Sequence, residues 1–206
     1  MGHLATRLDL VLSMAQLRSS IILAFAAFWA ASALGQPDFK VYPNTEVVEE
    51  GGIINILVIQ TENERFQVQT PKGYGVQVRQ NEQSIVFTSL SGTSIITVKM
   101  STNYARTLPK MEVLRDQVAK KYSTASLVQT SPCHTSGGMG LLFDLFQPAA
   151  GNLTMRIRDG FVSFPEGSFE FTLTCDSKEY DKNRLSFAWL LNSFRLQSES
   201  AKTNPQ

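Results

Sequence analysis

Short segments in which apolar and polar residues alternate follow one another through the first half of the chain. A β-branched run, Gly52–Gln60, comes first, and the segments that follow it are 66–70, 74–78, 84–88 and 94–100. Side chains alternate between the two faces of a strand, so each alternating segment fits a half-buried strand. Turn residues separate them, as in Pro71-Lys72-Gly73. This pattern predicts a meander of antiparallel strands.

The spacing of the apolar residues changes after Thr107, which we predict to cap a helix with Pro109 in its first turn. The apolar positions now recur every three or four residues, which gives one stripe along a helix. They are Leu108, Met111, Leu114, Val118 and Tyr122.

The second half repeats this order, with predicted strands at 141–146, 153–158 and 169–175. Asp181 is the predicted cap of a final helix, whose apolar stripe is Leu185, Ala188, Leu191 and Phe194. Each helix has a single apolar stripe and must therefore cover a sheet. The predicted fold is a single α+β domain: an antiparallel sheet of about six strands flanked by two main helices, an α/β/α sandwich.

Residues 36–51 contain two prolines and several acids without a sustained period, and we interpret them as a linker. The predicted organisation is a leader at 1–35, a linker and N-terminal strand at 36–62, the α/β domain at 63–198 and a mobile polar tail at 199–206.

The N-terminal region has the order of a secretory signal peptide. No charged residue lies between Arg18 and Asp38, and small residues follow the apolar stretch. A basic end, a short apolar stretch and small residues at the site of cleavage are, in this order, the features of a secretory signal peptide. Ala33 and Gly35 fit its −3 and −1 positions, so we predict cleavage between Gly35 and Gln36.

An uncleaved membrane anchor is the alternative. The apolar run at 21–34 has roughly 14 residues, however, and a spanning helix needs about 20. No cysteine lies near the cleavage region, which disfavours a lipid anchor, and the long stretch before Met14 makes Met14 the expected initiator. The product is then exported, periplasmic or extracellular, without a membrane span.

Composition narrows the classes of partner. The chain has 206 residues, of which 43% are apolar and 18% charged, as is typical of a globular protein. Without residues 1–35 it carries 17 basic and 17 acidic side chains. A neutral domain lacks the electrostatic footprint of a nucleic-acid-binding protein.

The segment 66–74 resembles the opening hairpin of the PsbP-like superfamily: an alternating strand, then Pro71, Gly73 and an aromatic residue, here Tyr74 where tryptophan is common. A helix after the meander, a strand preceded by glycines and a closing helix that ends in Asn192-Ser193-Phe194 are also similar. The resemblance covers about 63–198.

The resemblance implies an antiparallel sheet flanked by helices. The superfamily includes extrinsic photosystem II subunits, a nuclear Ran-binding factor and many bacterial envelope proteins, and most members bind or help to assemble a partner. Neither a plastid transit peptide nor a twin-arginine signal is present, so no photosynthetic role is carried over.

Cys133 and Cys175 are the two cysteines. In an oxidising compartment a pair of cysteines is more often a disulfide than a site, and we expect a bridge here. Two unpaired buried thiols are the alternative.

A thiol-dependent hydrolase would use Cys133 with His134 as its base. Adjacent residues on a strand point to opposite faces, however, so the two side chains do not readily pair. One histidine and two cysteines in the predicted mature chain also lack a zinc-ligand spacing, and no cofactor is expected.

The remaining motifs have ordinary structural explanations. Gly137-Gly138-Met139-Gly140 lacks the lysine and hydroxyl of a phosphate loop and is interpreted as a turn with close backbone packing. Asp144 and Glu170 are interpreted as solvent-facing strand carboxylates rather than an acid pair. Asn152 begins a glycosylation sequon. Four aromatic residues occupy strand positions where a core needs bulky side chains, so an aromatic ligand cage has no separate support. They are Tyr74, Phe87, Phe146 and Phe171.

No coherent catalytic set is present. We therefore expect a non-enzymatic binding or assembly-accessory protein of the cell envelope, whose partner is another envelope protein and which exposes an apolar or aromatic patch. The alternatives are a small-molecule carrier with a cavity between sheet and helix, and a thiol-dependent hydrolase.

Overall fold

A computed structural model describes residues 38–48, 52–149 and 153–197. These ranges contain eleven strands and two longer helices. In chain order the elements are β1 (Lys40–Val48), β2 (Gly52–Gln60), β3 (Arg65–Gln69), β4 (Tyr74–Arg79), β5 (Ser84–Ser89), β6 (Ser94–Ser101), α1 (Met111–Lys121), β7 (Ser126–Thr135), β8 (Gly138–Pro148), β9 (Thr154–Phe164), β10 (Gly167–Asp176), α2 (Tyr180–Ser193) and β11 (Arg195–Leu196). Among the described residues, no helix is long and apolar enough to cross a membrane.

The strands form two antiparallel sheets. The small sheet has the order β1-β2-β3-β11, and the large sheet has the order β4-β5-β6-β10-β9-β8-β7. The turn at Pro71–Gly73 carries the chain from one sheet to the other, and Gly73 has a φ of +80°, which favours glycine. The chain returns to the small sheet after α2, where Arg195 pairs with Gln67.

The main core lies between the two sheets and α2. Phenylalanine rings join these layers: Phe66 of the small sheet lies 4.9 Å from Phe169 of the large sheet, centroid to centroid, and Phe194 after α2 lies 4.8 Å from Phe169. Edge-to-face contacts of this kind stabilise a core beyond the area that they bury.

Helix α1 packs on the opposite face of the large sheet. Its buried residues are Leu114 and Val118, which meet a second apolar cluster built from β8 and β9. The period of two explains the division, because Phe143 and Leu145 face α1 while Leu142, the residue before Phe143, faces the main core.

The structure confirms the α+β class and the helices, and β2 has the predicted bounds. The prediction of one sheet of about six strands is wrong, because there are two sheets. The supposed linker 36–51 contains β1, whose nine residues pair with β2 from Lys40–Gln60 to Val48–Gly52. Its Pro43 obscured it, and proline is tolerated there because β1 is an edge strand. The edge strand β7 was also missed, because most of its residues are polar.

Both helices differ in detail from the prediction. Helix α1 begins at Met111 instead of following a cap at Thr107, because Tyr104 and Arg106 have positive φ and the preceding loop is not helical. In α2 the buried residues are Asn183, Phe187, Leu190 and Leu191. Leu185, which was predicted to be in the buried stripe, is 67% exposed.

Candidate binding groove

An open groove of about 570 Å³ lies where three elements meet: the start of β2, the turn from β3 to β4, and the middle of α2. We call it the α2 groove. Its apolar lining residues are Ile53, Ile54, Pro71, Leu185 and Trp189, and its polar ones are Asn55, Thr70, Lys72 and Ser186.

Helix α2 supplies an unusual exposed surface to the groove. Leu185 and Trp189 are one turn apart on the same face, and both are exposed, Trp189 by 44%. The opposite face holds Phe187 and Leu190, which are fully buried. The helix therefore has apolar side chains on two faces, and the core needs only one of them.

The end of the β1-β2 hairpin supplies the other apolar side of the groove. Ile53 is 73% exposed, and its cross-strand partner Val47 is 77% exposed. The ladder between β2 and β3 ends at the pair Ile56–Gln69, and its last bond runs from the Thr70 N–H to the Asn55 carbonyl at 3.2 Å. Main-chain groups alternate between the two edges of a strand, so the N–H and C=O of Ile53 point to this same edge beyond the end of β3.

Among the described residues, Lys72 is the charged residue that lines the groove, and α2 carries further charges beside it. Within the part of the chain that the structure describes, neither Lys72 nor Lys182 has a carboxylate within 4 Å of its ammonium group. Lys182 lies three residues before Leu185 and Asp181 lies four residues before it, so both are on the same side of α2 as Leu185. Arg184, in contrast, pairs with Asp181 at 3.9 Å.

The two cysteines are far apart, and the bridge expected from the sequence is not formed. Cys133 and Cys175 are both buried and free. They lie on β7 and β10, which β8 and β9 separate. Three strand spacings of about 4.8 Å already exceed the roughly 7 Å that a disulfide spans between Cα atoms.

The thiols also lack the properties of a nucleophile. Burial raises the pKa of Cys133 to about 12, although Arg158 opposes this, and burial raises the pKa of Cys175 to about 11. His134 is exposed, while Cys133 beside it points into the core. A reactive cysteine needs a lowered pKa and access to solvent, so this arrangement disfavours the hydrolase hypothesis.

The interpretation of Asp144 as a solvent-facing carboxylate is wrong, since it is 3% exposed. Its oxygens accept two hydrogen bonds from Arg158, its cross-strand partner, each of 2.9 Å, and one from the Tyr180 hydroxyl at 2.5 Å. Burial and this bond to Asp144 raise the pKa of Tyr180. The three residues tie α2 to the large sheet.

Glu170 lies on the other face of the large sheet from Asp144, so the two do not form an acid pair. It contacts Lys121 of α1, whose ammonium group also lies 3.2 Å from Asp159. Asp159 is fully buried, and Thr172 donates to it at 2.9 Å. Burial raises the pKa of Asp159 to about 7, and repulsion from Glu170 adds to this effect, although the Lys121 ammonium group acts to lower the pKa.

The space beside this cluster, between α1 and the large sheet, measures about 190 Å³. Typical small-molecule sites measure about 300–1,000 Å³, so this one is small for a carrier cavity. Sequence reasoning missed the cluster because α1, β9 and β10 come together only in the fold.

The glycines and the aromatic residues that the sequence analysis considered have structural roles. Gly137 lies in the turn between β7 and β8, and Gly140 lies in β8, where a Cβ would approach the Phe161 carbonyl oxygen to 1.7 Å. This confirms close backbone packing at Gly140, whereas a Cβ at Gly138 would meet only the Val162 side chain at 3.5 Å. Phe87 and Phe171 are fully buried in the core. The Tyr74 hydroxyl bonds to Ser94 at 2.7 Å and to Asn183 at 3.0 Å, and Phe146 is partly exposed.

Three predicted positions, Gly35, Gln36 and Asn152, lie outside the described residues. Within residues 38–48, 52–149 and 153–197, no group of three or more His, Cys, Asp or Glu side chains is placed to hold a metal ion.

The fold resembles that of PsbP, as the order of elements in the sequence predicted, although β3 and β4 lie in different sheets and do not form the expected hairpin around Pro71 and Tyr74. The solution structure of cyanobacterial PsbP (CyanoP) from Synechocystis sp. PCC 6803 is similar to this chain with a TM-score of 0.50 and 13% sequence identity. The match covers 80% of this chain and 96% of CyanoP. At this identity the similarity shows the fold alone. Neither a protein-family model nor a curated protein matches the sequence.

Proposed function

We propose that this protein is an exported, non-enzymatic accessory protein that holds a partner protein in the α2 groove. The observation that carries the proposal is the pair Leu185 and Trp189 on the exposed face of α2, with Ile53 beside them in the same groove. Exposed apolar side chains that cluster around a concave surface are typical of an interaction site.

The exposed apolar side chains of the groove leave a favourable free energy of burial that the isolated chain does not gain. Complete burial of a large apolar side chain stabilises it by about 1.5–3 kcal/mol relative to water. Ile53, Leu185 and Trp189 forgo much of this in the isolated chain, and a partner that covers them would recover it. Tryptophan in particular contributes strongly to binding when a partner encloses it.

A small-molecule carrier is the second candidate, because a partly apolar groove of about 570 Å³ is within the usual range for a ligand site. The groove is open rather than enclosed between sheet and helix, which favours a protein partner. Mass spectrometry of the gently purified protein distinguishes the two, since only a carrier would retain a small ligand.

The proposed address rests on the sequence of residues 1–35. Export would place the domain in the periplasm or outside the cell, where the proposed partner is another envelope protein.

Charge insertion in the groove tests the proposal. Leu185→Glu places a carboxylate in the groove, whereas Val113→Glu is a matched control, because Val113 is 46% exposed on α1, on the opposite face of the large sheet. After mild crosslinking in the native host, the unchanged protein and the control should retain the same partner and Leu185→Glu should lose it. Equal retention by both variants, or recovery of the protein alone, would refute the proposal.

A further inference from the structure

We infer that the partner enters the α2 groove as an extended, acidic segment with bulky apolar side chains, which adds along the open edge of β2. This inference rests on the proposed function and specifies the chemistry of the partner. It depends on the main chain of β2 and on the two lysines beside the groove, and not on the class of fold alone.

Near its start, β2 has an open edge toward the groove within the described part of the chain. Beyond the pair Ile56–Gln69, β3 no longer accompanies β2, because the chain turns at Pro71 toward the large sheet. Within the described part of the chain, the main-chain groups of Ile53 therefore face the groove edge without a neighbouring strand. An extended peptide satisfies such groups by adding as a further strand, and its alternate side chains then enter the adjacent pockets.

Polar side chains line the groove as well as apolar ones. The side chains of Asn55, Thr70 and Ser186 make no hydrogen bond within the described part of the chain, and all three line the groove. Amide and hydroxyl groups both donate and accept, so they suit the main chain of a peptide.

Two lysines beside the groove favour an acidic partner. The ammonium groups of Lys72 and Lys182 lack a carboxylate partner among the described residues, while Arg184 nearby already has Asp181. Complementary charge across an interface raises the association rate and selects the partner. The chemistry that fits is therefore Asp or Glu interspersed with Leu, Ile, Val or Phe.

A lipid surface or a second copy of the chain explains these features less well. A bilayer offers no main-chain groups to an open strand edge, and a second copy would bring Lys72 and Lys182 of each subunit into the same interface as like charges. Both occupants are outcomes of the test below.

The fluorescence of Trp189 provides the measurement. The chain has two tryptophans, Trp29 and Trp189, so the full chain with Trp29→Phe reports on the groove alone. Three twelve-residue probe peptides share one pattern of Leu and Val and differ at alternate positions, which carry Glu, Gln or Lys.

We expect the Glu peptide to bind, the Gln peptide to bind at least about fivefold more weakly, and the Lys peptide to bind most weakly. The double variant Lys72→Glu and Lys182→Glu should reverse this order in favour of the Lys peptide. Methylation of alternate main-chain nitrogens in the Glu peptide should weaken its binding at least about tenfold, because a strand edge needs the N–H donors.

Equal binding of the Glu and Gln peptides, with no effect of the lysine reversals, would overturn the inference. So would the absence of peptide binding in a protein whose partner capture still depends on Leu185, and in that case the proposed function would stand. A shift of Trp189 emission with vesicles of phosphatidylcholine and phosphatidylserine but not with peptides would assign the groove to a lipid surface. Self-association that Leu185→Glu abolishes would assign it to a second copy.

Discussion

Ile53 at the start of β2 and Trp189 on α2 line the same groove, although one belongs to the first hairpin and the other to the last helix. Each is exposed, and neither is needed by the core, which Phe187 and Leu190 of α2 already complete. The fold thus presents an apolar surface whose parts come from distant regions of the sequence. That surface is the basis of the proposed accessory role.

The buried pair Asp144 and Arg158 should make a large contribution to stability. Asp144→Ala leaves the Arg158 guanidinium and the Tyr180 hydroxyl without their acceptor, and loss of one partner of a buried ion pair costs about 3–5 kcal/mol. Urea unfolding measures this loss. Glu82→Ala is the control, because it breaks an exposed pair with Arg79 and should cost less than about 1 kcal/mol. Similar losses in the two variants would contradict the account.

Asp159 should make stability depend on pH. In the unfolded chain an aspartate has a pKa near 4, whereas burial and Glu170 raise the pKa of Asp159 to about 7 in the fold. Between these values the folded state binds the proton more tightly, so the free energy of unfolding should fall as pH rises from about 4 to 7. Lys121 stays charged in this range: burial lowers its pKa, but Asp159 and Glu170 outweigh burial and raise it.

Asp159→Asn should reduce this fall in the free energy of unfolding. Between pH 4 and 7 the fall should be smaller than in the unchanged protein by on the order of 1–4 kcal/mol. Thermal unfolding at a series of pH values measures it. Asp116→Asn, on the exposed surface of α1, is the matched control and should leave the dependence unchanged. An identical pH profile for Asp159→Asn and the unchanged protein would show that Asp159 is not the responsible group.

Cys133 and Cys175 should resist alkylation in the folded protein, because burial excludes reagent and raises the pKa of both thiols. Both should react at once in denaturant, with no reductant added. Mass spectrometry counts the labels. If denatured protein takes up two labels only after reduction, the cysteines are bridged and their placement on β7 and β10 is incorrect.

The leader prediction concerns residues outside the described structure. If residues 1–35 are a cleaved signal, the exported product begins at Gln36, and N-terminal sequencing of that product identifies the cut. Gly35→Trp should block processing, since the peptidase requires a small residue there. An exported product that retains residues 1–35 would rule out the signal peptide.

The sequence predicted most of the strands because a period of two marks a strand with one buried face, and β2 was correct at both ends. It could not reveal β1 or β7, since edge strands with polar residues lack that period. Leu185 was placed in the buried stripe because α2 has apolar residues on two faces, and periodicity does not show which face meets the core. The groove and the Asp144–Arg158 pair depend on tertiary contacts and strand register, which no local pattern contains.

Site-specific photocrosslinking from position 185 in the native host detects a partner that is bound in the α2 groove. A photoreactive phenylalanine analogue replaces Leu185 in one variant and Val113 of α1 in another. The account predicts one discrete adduct, heavier than the chain, from position 185 and none from position 113. The same adducts from both positions, or none from position 185, would contradict a partner-binding α2 groove.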